Sequence, residues 1–537
     1  MGSHDESEDE QLKYAIALSL QQAGPEEQDV IPEPIRPRSR DPSFGLLLLN
    51  RKQMEEERLA RLAAKRSRST SQGDDIGDMP ATKRGRKSPA NRLIDKVSIP
   101  FPDGVVKRTW AKGYDRTDDD IHIDEVLQTD QLLLAMFSSF QWNEPWLLSK
   151  IDLSRTKVLL AAYAADDAQK EMMRSNAPQN IKFCFPRMQG FGNMHSKLQI
   201  LKFSHYLRIV VPTGNLVPHD WGETGIMENM VFLIDLPLLN DDNRSRQMTL
   251  FQTHLQHYLQ AMGIEAGMIA SLSKYDFSKT ADLGFVYSVP GEHSGGPKPR
   301  VGFAGLGTTI ADLGLATSEP IEVDYACASL GAIKYGFVKS MYSACRGSVD
   351  KALLGIDENP YSGGNDADEA LQSRQNFRIY FPSHNTIVSS RGGKISAGTI
   401  CFQESWWRSS TFPKEMMRDC INTRKGLLMH SKVILVRHAG CTAHDAEKRA
   451  AWAYIGSANL SESAWGRVVR DKASGQRKIA CRNWECGVVV PVRTSSEKVP
   501  ATDMSIFAGR VPIPMQFPGR RYSQGEHPWF FRELGEL

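Results

Sequence analysis

Short apolar runs, separated by segments rich in Gly, Pro and Asn, recur along the chain from about Leu93 onward. Apolar residues at helical spacing lie between some of these runs, most clearly at 251–262. Alternating strands and helices predict an α/β protein whose helices cover the faces of its sheets. The runs predict buried strands at 157–164, 198–203, 207–213, 230–237, 377–382, 432–438, 451–458 and 486–492.

The first 92 residues lack this pattern. They are poor in aromatic side chains and rich in Ser, Pro, Glu, Lys and Arg, so they cannot bury enough apolar surface to offset the entropy lost on ordering. We therefore expect a disordered tail over residues 1–92. A loop rich in Gly and Pro at Ser288–Arg300 marks the expected boundary between a first half, 93–290, and a second half, 291–537.

The composition excludes several protein classes. With 537 residues, 41% apolar residues and ten Trp, the chain has enough apolar surface for two domains or two fused halves. No run approaches the length of a membrane span, and the acidic amino terminus does not match a secretory signal, so we expect an intracellular protein without a membrane partner. The eight cysteines form no Cys-x-x-Cys pair, which predicts reduced thiols.

Two short islands stand out within the tail. In the first, over residues 8–23, an acidic cluster precedes Leu12, Ala15, Ile16 and Ser19 at helical spacing. This stretch resembles the ubiquitin-interacting motif, whose small alanine lets the helix sit close to the apolar patch of ubiquitin. The resemblance implies ubiquitin or ubiquitinated proteins as partners. The alternative is a transient helix without a partner.

The second island is basic, with clusters of Lys and Arg between residues 65 and 87. Such clusters are typical of nuclear import signals and of nucleic-acid contacts. We expect an import signal and hence a nuclear protein; the alternative is a basic run that only keeps the tail solvated. The formal net charge of +3 is too small to distinguish these functions.

The tetrapeptide Met-His-Ser-Lys occurs twice, at Met194–Lys197 and at Met429–Lys432. Each copy leads into an apolar strand. A second strand follows and ends in a small, turn-forming segment with an asparagine, Asn215 in the first copy and Asn459 in the second. A repeated unit of strand, turn, strand and asparagine indicates an internal duplication and is far more specific than a single short motif.

The repeated residues are expected to gather at one place. Residues two apart on a strand face the same side, so His195 and Lys197 project together while Ser196 points away, and the second copy repeats this. Each half then contributes an imidazole, an ammonium and, from Asn215 or Asn459, an amide. If the halves pack about a pseudo-twofold axis, the two trios surround one small anion, and a phosphodiester fits that composition.

This set of groups predicts a hydrolysis in two steps. One neutral histidine attacks phosphorus while the opposite, protonated histidine gives its proton to the leaving oxygen, which produces a phosphohistidine. The second histidine then activates water to break the nitrogen–phosphorus bond. Lysine and asparagine donors stabilise the transition-state charge, so we expect neither metal nor cofactor. Opposite protonation states of the two histidines are reasonable near neutral pH, where imidazole titrates.

A repeated His-x-Lys with a downstream Asn resembles the signature of the phospholipase D superfamily. Most members carry an aspartate five residues after the lysine, where this chain has Lys202 and Arg437. The branch without that aspartate is the tyrosyl-DNA phosphodiesterase family. The resemblance implies two similar halves, each a mixed sheet flanked by helices, related by a pseudo-twofold axis. The segments that look like those of the family are Pro212–Trp221, Gly456–Gly466 and Asn483–Val490.

The resemblance also implies roles for individual residues. It makes His195 the nucleophile and His430 the general acid and base, with Glu485 orienting His430. In the first half the family uses a glutamine to orient the nucleophile. This chain has no clear match for it, and Glu228 and Asn229 are the candidates. The residues that the resemblance assigns to holding the phosphate are Lys197, Lys432, Asn215 and Asn459.

Four further positions resemble substrate contacts of the family. Phe191 matches an aromatic side chain that stacks on the terminal base, a contact that tolerates any base; spacing alone equally allows a core phenylalanine. Ser329 and Ser461 match hydroxyls that contact DNA phosphates and position the strand without reading its sequence. Trp529 matches the aromatic residue that closes the peptide side.

The function implied by the resemblance is nuclear DNA repair. A monomer would hydrolyse the bond between a DNA 3′ end and the tyrosine of a trapped type IB topoisomerase peptide, leaving a 3′-phosphate. One alternative is another hydrolase of the superfamily, such as a general nuclease or a phospholipid hydrolase. The other is a non-catalytic adaptor for ubiquitin and DNA.

Two weaker signals point elsewhere. The segment Gly302–Thr309 resembles a dinucleotide-binding loop only loosely and is predicted to be a plain turn. His438, Cys441 and His444 are spaced like zinc ligands but lack a fourth partner, so a loop is the better prediction.

Overall fold

The computed structural model describes residues 99–189, 192–239, 247–294, 300–348, 365–438, 451–470, 475, 477–492 and 503–534. The predicted tail and both of its islands lie outside these ranges. The strands are β1 (Val105–Thr109), β2 (Asp120–Ile121), β3 (Leu134–Ser138), β4 (Lys157–Ala161), β5 (Ile181–Cys184), β6 (Leu198–Lys202), β7 (Tyr206–Pro212), β8 (Met227–Glu228), β9 (Met230–Pro237), β10 (Gly284–Ser288), β11 (Gly291–Ser294), β12 (Ile321–Ala326), β13 (Phe377–Phe381), β14 (Met417–Asp419), β15 (Leu428–Met429), β16 (Val433–His438), β17 (Ala451–Gly456), β18 (Arg467–Arg470), β19 (Arg477–Cys481) and β20 (Glu485–Val492). The α-helices are α1 (Ile123–Leu127), α2 (Glu144–Ser149), α3 (Asp167–Asn176), α4 (Leu250–Met262), α5 (Ala266–Ser271), α6 (Gly302–Asp312), α7 (Tyr335–Cys345), α8 (Asn365–Asn376), α9 (His384–Val388), α10 (Glu404–Arg408) and α11 (Glu462–Trp465).

The first half is built on an eight-stranded mixed sheet in the order β2-β1-β9-β7-β6-β3-β4-β5. Strands β3, β4 and β5 run parallel to one another, whereas each neighbouring pair from β3 through β6, β7 and β9 to β1 is antiparallel. β7 is buried along its whole length and β9 along all but its last residue. Both faces of these central strands are covered, which explains why they consist of nearly continuous apolar runs.

The second half repeats this arrangement. Its seven-stranded sheet has the order β10-β20-β17-β16-β12-β13-β14, which matches β1-β9-β7-β6-β3-β4-β5 strand for strand, including the direction of every pair. The predicted α/β fold of two similar mixed sheets is therefore confirmed. Each Met-His-Ser-Lys copy directly precedes the corresponding central strand, β6 or β16.

The predicted boundary after residue 290 is wrong. Strand β10 precedes that position but already belongs to the second sheet, where it pairs with β20. The segment rich in Gly and Pro contains β11, which pairs with β19. The turn predicted at Gly302–Thr309 is instead the buried start of α6. Glycine is needed there for close packing, because a Cβ atom at Gly305 would overlap the carbonyl group of Arg300.

One continuous apolar core joins the two sheets. Strands β7 and β9 of the first sheet pack against β17, and β7 also packs against β20. Val211, Phe232 and Val488 belong to this shared core. A second core covers the other face of the first sheet, where α1, α2 and α3 contribute buried residues. Because the halves share a core, side chains of one half can be positioned accurately against the other.

The two positions that carry aspartate in most of the superfamily have other environments in this fold. Lys202 is exposed at the end of β6. Arg437 is buried on β16, and its Nη2 atom lies 2.5 Å from Oδ2 of Asp324. The same carboxylate accepts a hydrogen bond from Nε of Arg378 at 2.5 Å. The buried charge at 437 is thus compensated within the sheet.

The described residues also bear on the expectations about membrane spans and cysteines. Within the described part of the chain, no helix has both the length and the apolar character needed to cross a membrane. The seven cysteines in that part are free thiols, in line with the prediction from their spacing.

Candidate active site

Backbone pairing across the interface of the halves fixes both motif histidines. Met194 forms a parallel bridge with Trp484, whose amide donates a hydrogen bond to the carbonyl of Asn193 at 3.0 Å. In the second copy, β15 pairs with β8 of the first half, and the His430 amide donates to the carbonyl of Glu228 at 3.2 Å. Each histidine is therefore anchored by the half to which it does not belong.

Each imidazole is also held by a carboxylate from the opposite half. Glu485 Oε2 lies 2.9 Å from Nδ1 of His195, and Asp220 Oδ2 lies 3.0 Å from Nδ1 of His430. A carboxylate accepts hydrogen bonds and does not donate them, so Nδ1 of each ring carries the proton. The other nitrogen, Nε2, keeps its lone pair for chemistry.

The role predicted for Glu485 is therefore wrong, because this carboxylate orients His195 and not His430. Glu485 directly follows Trp484, the residue bridged to Met194, so its side chain reaches the histidine that follows Met194. Its orientation is fixed by further donors, Ser457 Oγ to Oε2 and Asn483 Nδ2 to Oε1, the latter at 3.1 Å.

Neither candidate proposed for orienting the nucleophile does so. Oε2 of Glu228 accepts a hydrogen bond from Arg424 at 3.1 Å, and Nδ2 of Asn229 donates to the backbone carbonyl of Asp220 at 2.9 Å. The residue missed by the sequence analysis is Asp220 itself. Asp220 lies only five residues after Asn215, and its Oδ2 atom also accepts a hydrogen bond from the backbone amide of Asn215 at 2.6 Å. An acidic residue this close to the repeated asparagine was the sequence feature that could have indicated its role.

The structure brings both histidines and both repeated asparagines to the wall of one cavity of about 790 Å³. The His195 side chain is 13% exposed and that of His430 is 5% exposed, so His195 is the more accessible ring. Phe140 packs against His195 with ring centroids 5.2 Å apart. An anion in this cavity would therefore contact groups from both halves.

The repeated lysines lie behind the histidines and are fully buried. Lys197 Nζ donates to the carbonyl of His195 at 2.9 Å, and Lys432 Nζ donates to the carbonyls of His430 at 2.5 Å and Thr213 at 3.2 Å. Burial lowers the pKa of Lys197 to about 8, although the nearby carboxylates act in the opposite direction. Burial and the charge of Lys197 lower the pKa of Lys432 well below its usual range.

The repeated asparagines are oriented by backbone donors. Oδ1 of Asn459 accepts the amides of Ala328 at 3.2 Å and Ser329 at 3.0 Å. Oδ1 of Asn215 accepts the amide of Gln141 at 3.4 Å, and its Nδ2 atom donates to Oε1 of Gln141 at 3.3 Å. Since the oxygens are occupied by donors, each asparagine presents its NH₂ group as the donor available to an anion.

Burial also dominates the ionisation of the histidines. It lowers the pKa of His195 to about 4 and that of His430 to about 3, although the adjacent carboxylates raise both. Burial by itself raises the pKa of Asp220 and Glu485, but the hydrogen bond from the neighbouring imidazole and the lysine charges lower both. Near pH 7 both rings are therefore neutral by themselves, and a proton on Nε2 of either ring needs an anion beside it.

The predicted substrate contacts are only partly brought together. Ser329 and Ser461 line the cavity, and Ser461 Oγ also accepts the amide of Ala464 at 3.2 Å at the start of α11. Phe191 lies outside the described residues, as do Cys441 and His444 of the zinc alternative.

The prediction for Trp529 is wrong, because this side chain is fully buried beside His384 and does not line the cavity. The Trp529 amide donates to the carbonyl of Pro382 at 3.0 Å, which turns the side chain into the core. Phe531 and Arg532, which follow it closely in sequence, line the cavity instead. Aromatic side chains from Phe402 and Trp406 complete this wall.

Two family profiles match this chain. The sequence profile of the family described as "Tyrosyl-DNA phosphodiesterase" matches residues 105–523. The profile described as "Ubiquitin interaction motif" matches residues 7–23, in agreement with the first island of the tail.

Individual relatives are distant in sequence. The chain is 24% identical over 349 residues to a probable tyrosyl-DNA phosphodiesterase of Caenorhabditis elegans, covering 63% of this chain and 68% of the relative. It is 21% identical over 458 residues to tyrosyl-DNA phosphodiesterase 1 of Arabidopsis thaliana, covering 76% and 71% of the two chains.

A solved structure shares the fold. The crystal structure of yeast tyrosyl-DNA phosphodiesterase covers 80% of this chain and 99% of its own, with a TM-score of 0.57 and 19% sequence identity. At that identity the likeness concerns the fold alone. The family profile spans most of the chain and includes both repeated units, so the chain belongs to the tyrosyl-DNA phosphodiesterase family.

Proposed function

We propose that this chain hydrolyses the 3′-phosphotyrosyl bond between DNA and the peptide of a trapped type IB topoisomerase, and leaves a 3′-phosphate. The observation that carries the proposal is the pair of histidines from the two halves, which line one cavity and are each held by a carboxylate of the other half. The aromatic wall formed by Phe402, Trp406 and Phe531 suits a tyrosyl leaving group. Family membership supports a tyrosyl-DNA substrate.

In the first step, Nε2 of His195 attacks phosphorus and the bond to the tyrosyl oxygen breaks. The His430 ring gives the proton on its Nε2 atom to that oxygen. His430 is neutral in the free site, and the phosphate anion bound next to it favours the imidazolium form, so the ring takes up a proton as the substrate binds. Glu485 stabilises the positive charge that develops on the phosphorylated ring of His195.

In the second step, the now neutral His430 removes a proton from water, whose oxygen attacks phosphorus. The nitrogen–phosphorus bond breaks, and His195 returns to its neutral form. The NH₂ groups of Asn215 and Asn459 stabilise the charge on the phosphoryl oxygens. The bound anion favours the charged forms of Lys197 and Lys432, which add a longer-range attraction from behind the histidines. We propose that these groups suffice without a metal ion in the reaction.

The tail adds a proposed location and a proposed partner. The basic clusters between residues 65 and 87 support import into the nucleus, where DNA repair takes place. The match over residues 7–23 supports binding to ubiquitin or to ubiquitinated proteins such as a modified, trapped topoisomerase. We propose that the enzyme acts as a monomer, because both catalytic trios are present in one chain.

The substrate proposal is tested with an oligonucleotide that carries a 3′-phosphotyrosine, assayed in the presence of a chelator beside phosphatidylcholine and an unmodified strand. We expect release of tyrosine and a 3′-phosphate end, and no detectable cleavage of the lipid. His195→Ala is expected to abolish the reaction, whereas the matched control His205→Ala, on an exposed turn, retains it. Cleavage of phosphatidylcholine, or activity that survives in His195→Ala, would contradict the proposal.

The division of roles predicts a trapped intermediate. His430→Ala removes the base needed for the second step, while tyrosine is a good enough leaving group for some first step to proceed. We expect a protein–DNA adduct that survives denaturing electrophoresis and maps to His195. The double variant His195→Ala/His430→Ala is the control and should form none. An adduct of equal yield in the double variant would show that the nucleophile is a different residue.

The carboxylates predict two distinguishable kinetic defects. Asp220→Asn removes a charge that raises the pKa of His430, so the imidazolium is lost at lower pH and the alkaline limb of the kcat profile moves down. We expect kcat to fall by about 10²–10⁴-fold, with slow breakdown of the adduct. Glu485→Gln should instead slow adduct formation. Identical defects in the two variants, measured by rapid quench, would contradict the exchange of carboxylates.

The ubiquitin proposal is tested by titrating the full chain with ubiquitin. Ala15→Gly removes the methyl group that packs on the partner and weakens the helix, so we expect affinity to fall by about tenfold. Hydrolysis of a free phosphotyrosyl oligonucleotide should not change. Unaltered ubiquitin binding by Ala15→Gly and by Ser19→Ala would rule out the motif as the binding element.

A further inference from the structure

Two histidines and one glutamate meet outside the cavity lining, close in sequence to Phe531 and Arg532. His384, His527 and Glu533 each offer one ligand atom, and these atoms lie within 4.8 Å of one another. The segments come together from distant parts of the chain: His384 begins α9, and Glu533 lies in a short 3-10 helix, Phe531–Leu534. The reaction described above uses none of these three side chains.

The geometry at His384 differs from that of a simple ion pair. Nδ1 of His384 is buried and in close contact with Oε2 of Glu533. Among the described residues, however, this nitrogen has no hydrogen-bond partner of acceptable geometry. A buried ring nitrogen without a hydrogen bond calls for an explanation, and a lone pair available to a metal ion is one.

The surroundings prepare the other two residues as ligands. Nδ1 of His527 lies 2.8 Å from the carbonyl oxygen of Pro528, which only accepts, so Nδ1 carries the proton and Nε2 keeps a lone pair. Oε1 of Glu533 accepts the amide of Phe530 at 3.3 Å, which leaves Oε2 for a second partner. Such outer hydrogen bonds commonly fix the tautomer of a histidine ligand and the orientation of a carboxylate ligand.

The backbone holds the two histidines at a constant separation. The amide of His384 donates to the carbonyl of His527 at 3.0 Å, and Ser383 forms an antiparallel bridge with Pro528. The His527 ring stacks on Phe530 with centroids 5.0 Å apart and an interplanar angle of 3°. Little ordering remains to be done when an ion binds, so the entropic cost of binding is small.

We propose that His384, His527 and Glu533 bind one divalent transition-metal ion, with Zn²⁺ as the preferred ion. Two imidazoles and one carboxylate are ligands typical of zinc sites, whereas Mg²⁺ and Ca²⁺ prefer sets made only of oxygen. Water completes the coordination as the fourth ligand. The exposure of the His384 side chain, 28%, gives solvent access to the site.

The position of this site points to a structural role next to the catalytic cavity. Phe531 and Arg532 lie between two of the ligands in sequence and line the cavity. The Phe531 amide donates to the carbonyl of Phe402, another cavity residue, at 3.1 Å. The ion would tie the carboxyl-terminal segment to α9 and so stabilise the wall that meets the leaving group. The ion has no part in the phosphoryl transfer, which we expect to proceed in the presence of a chelator.

The proposal is tested by metal binding to the full chain, without any activity assay. The chain is stripped with a chelator and titrated with Co²⁺, whose visible absorption reports coordination, and then with Zn²⁺ in competition with a chromophoric chelator. We expect one equivalent, and a rise of the thermal unfolding midpoint with added Zn²⁺. His527→Ala and Glu533→Gln should each weaken metal binding by at least about 100-fold. Loss of a residue that only hydrogen-bonds to a ligand would weaken binding less.

Two variants separate this site from others. His195→Ala removes an imidazole of the catalytic cavity, and His205→Ala removes an exposed one; both should still bind one equivalent. Near-ultraviolet circular dichroism checks that His527→Ala and Glu533→Gln are folded. If either variant is unfolded, the milder variant His527→Gln is used in its place. Wild-type protein that binds no ion, or folded ligand variants that bind as tightly as wild type, would mean that the three residues form an ion pair and a ring stack only.

Discussion

The exchange of carboxylates between the two halves is the interaction on which this site depends. Glu485 of the second half holds His195 of the first, and Asp220 of the first half holds His430 of the second. Neither half therefore contains a correctly oriented histidine by itself. The shared core that packs β7 and β9 against β17 fixes the geometry of both pairs. The packing of the halves against each other thus also orients both rings.

Burial gives these pairs their chemical character. It keeps both imidazoles neutral in the free site, while the carboxylates remain ionised because imidazole and lysine groups surround them. In the proposed mechanism a neutral His195 is ready to act as the nucleophile. The proton that His430 needs would arrive with the substrate, whose phosphate anion favours the charged ring. The same anion would balance the charge of the buried lysines.

The repeated units could be predicted from sequence because they are local: a histidine, a lysine and an asparagine at fixed positions relative to two strands. The carboxylate partners could not be assigned correctly, since Glu485 reaches His195 only through a bridge between residues 194 and 484. For the same reason the boundary predicted after residue 290 leaves β10 in the wrong half, because the pairing of β10 with β20 is a long-range contact. The substrate contact predicted for Trp529 is wrong for a similar reason. Its backbone amide bonds to the carbonyl of Pro382, just before α9, and this contact turns the side chain into the core.

The most direct test is a crystal structure of the chain with vanadate, a tyrosine-containing peptide and a short DNA strand. We expect a trigonal-bipyramidal vanadate in the cavity, with Nε2 of His195 at one apex and the tyrosyl oxygen, within hydrogen-bond distance of His430, at the other. Glu485 and Asp220 should retain their contacts with the two rings. Vanadate bound outside the cavity, or both rings on the same side of it, would contradict in-line displacement between the halves.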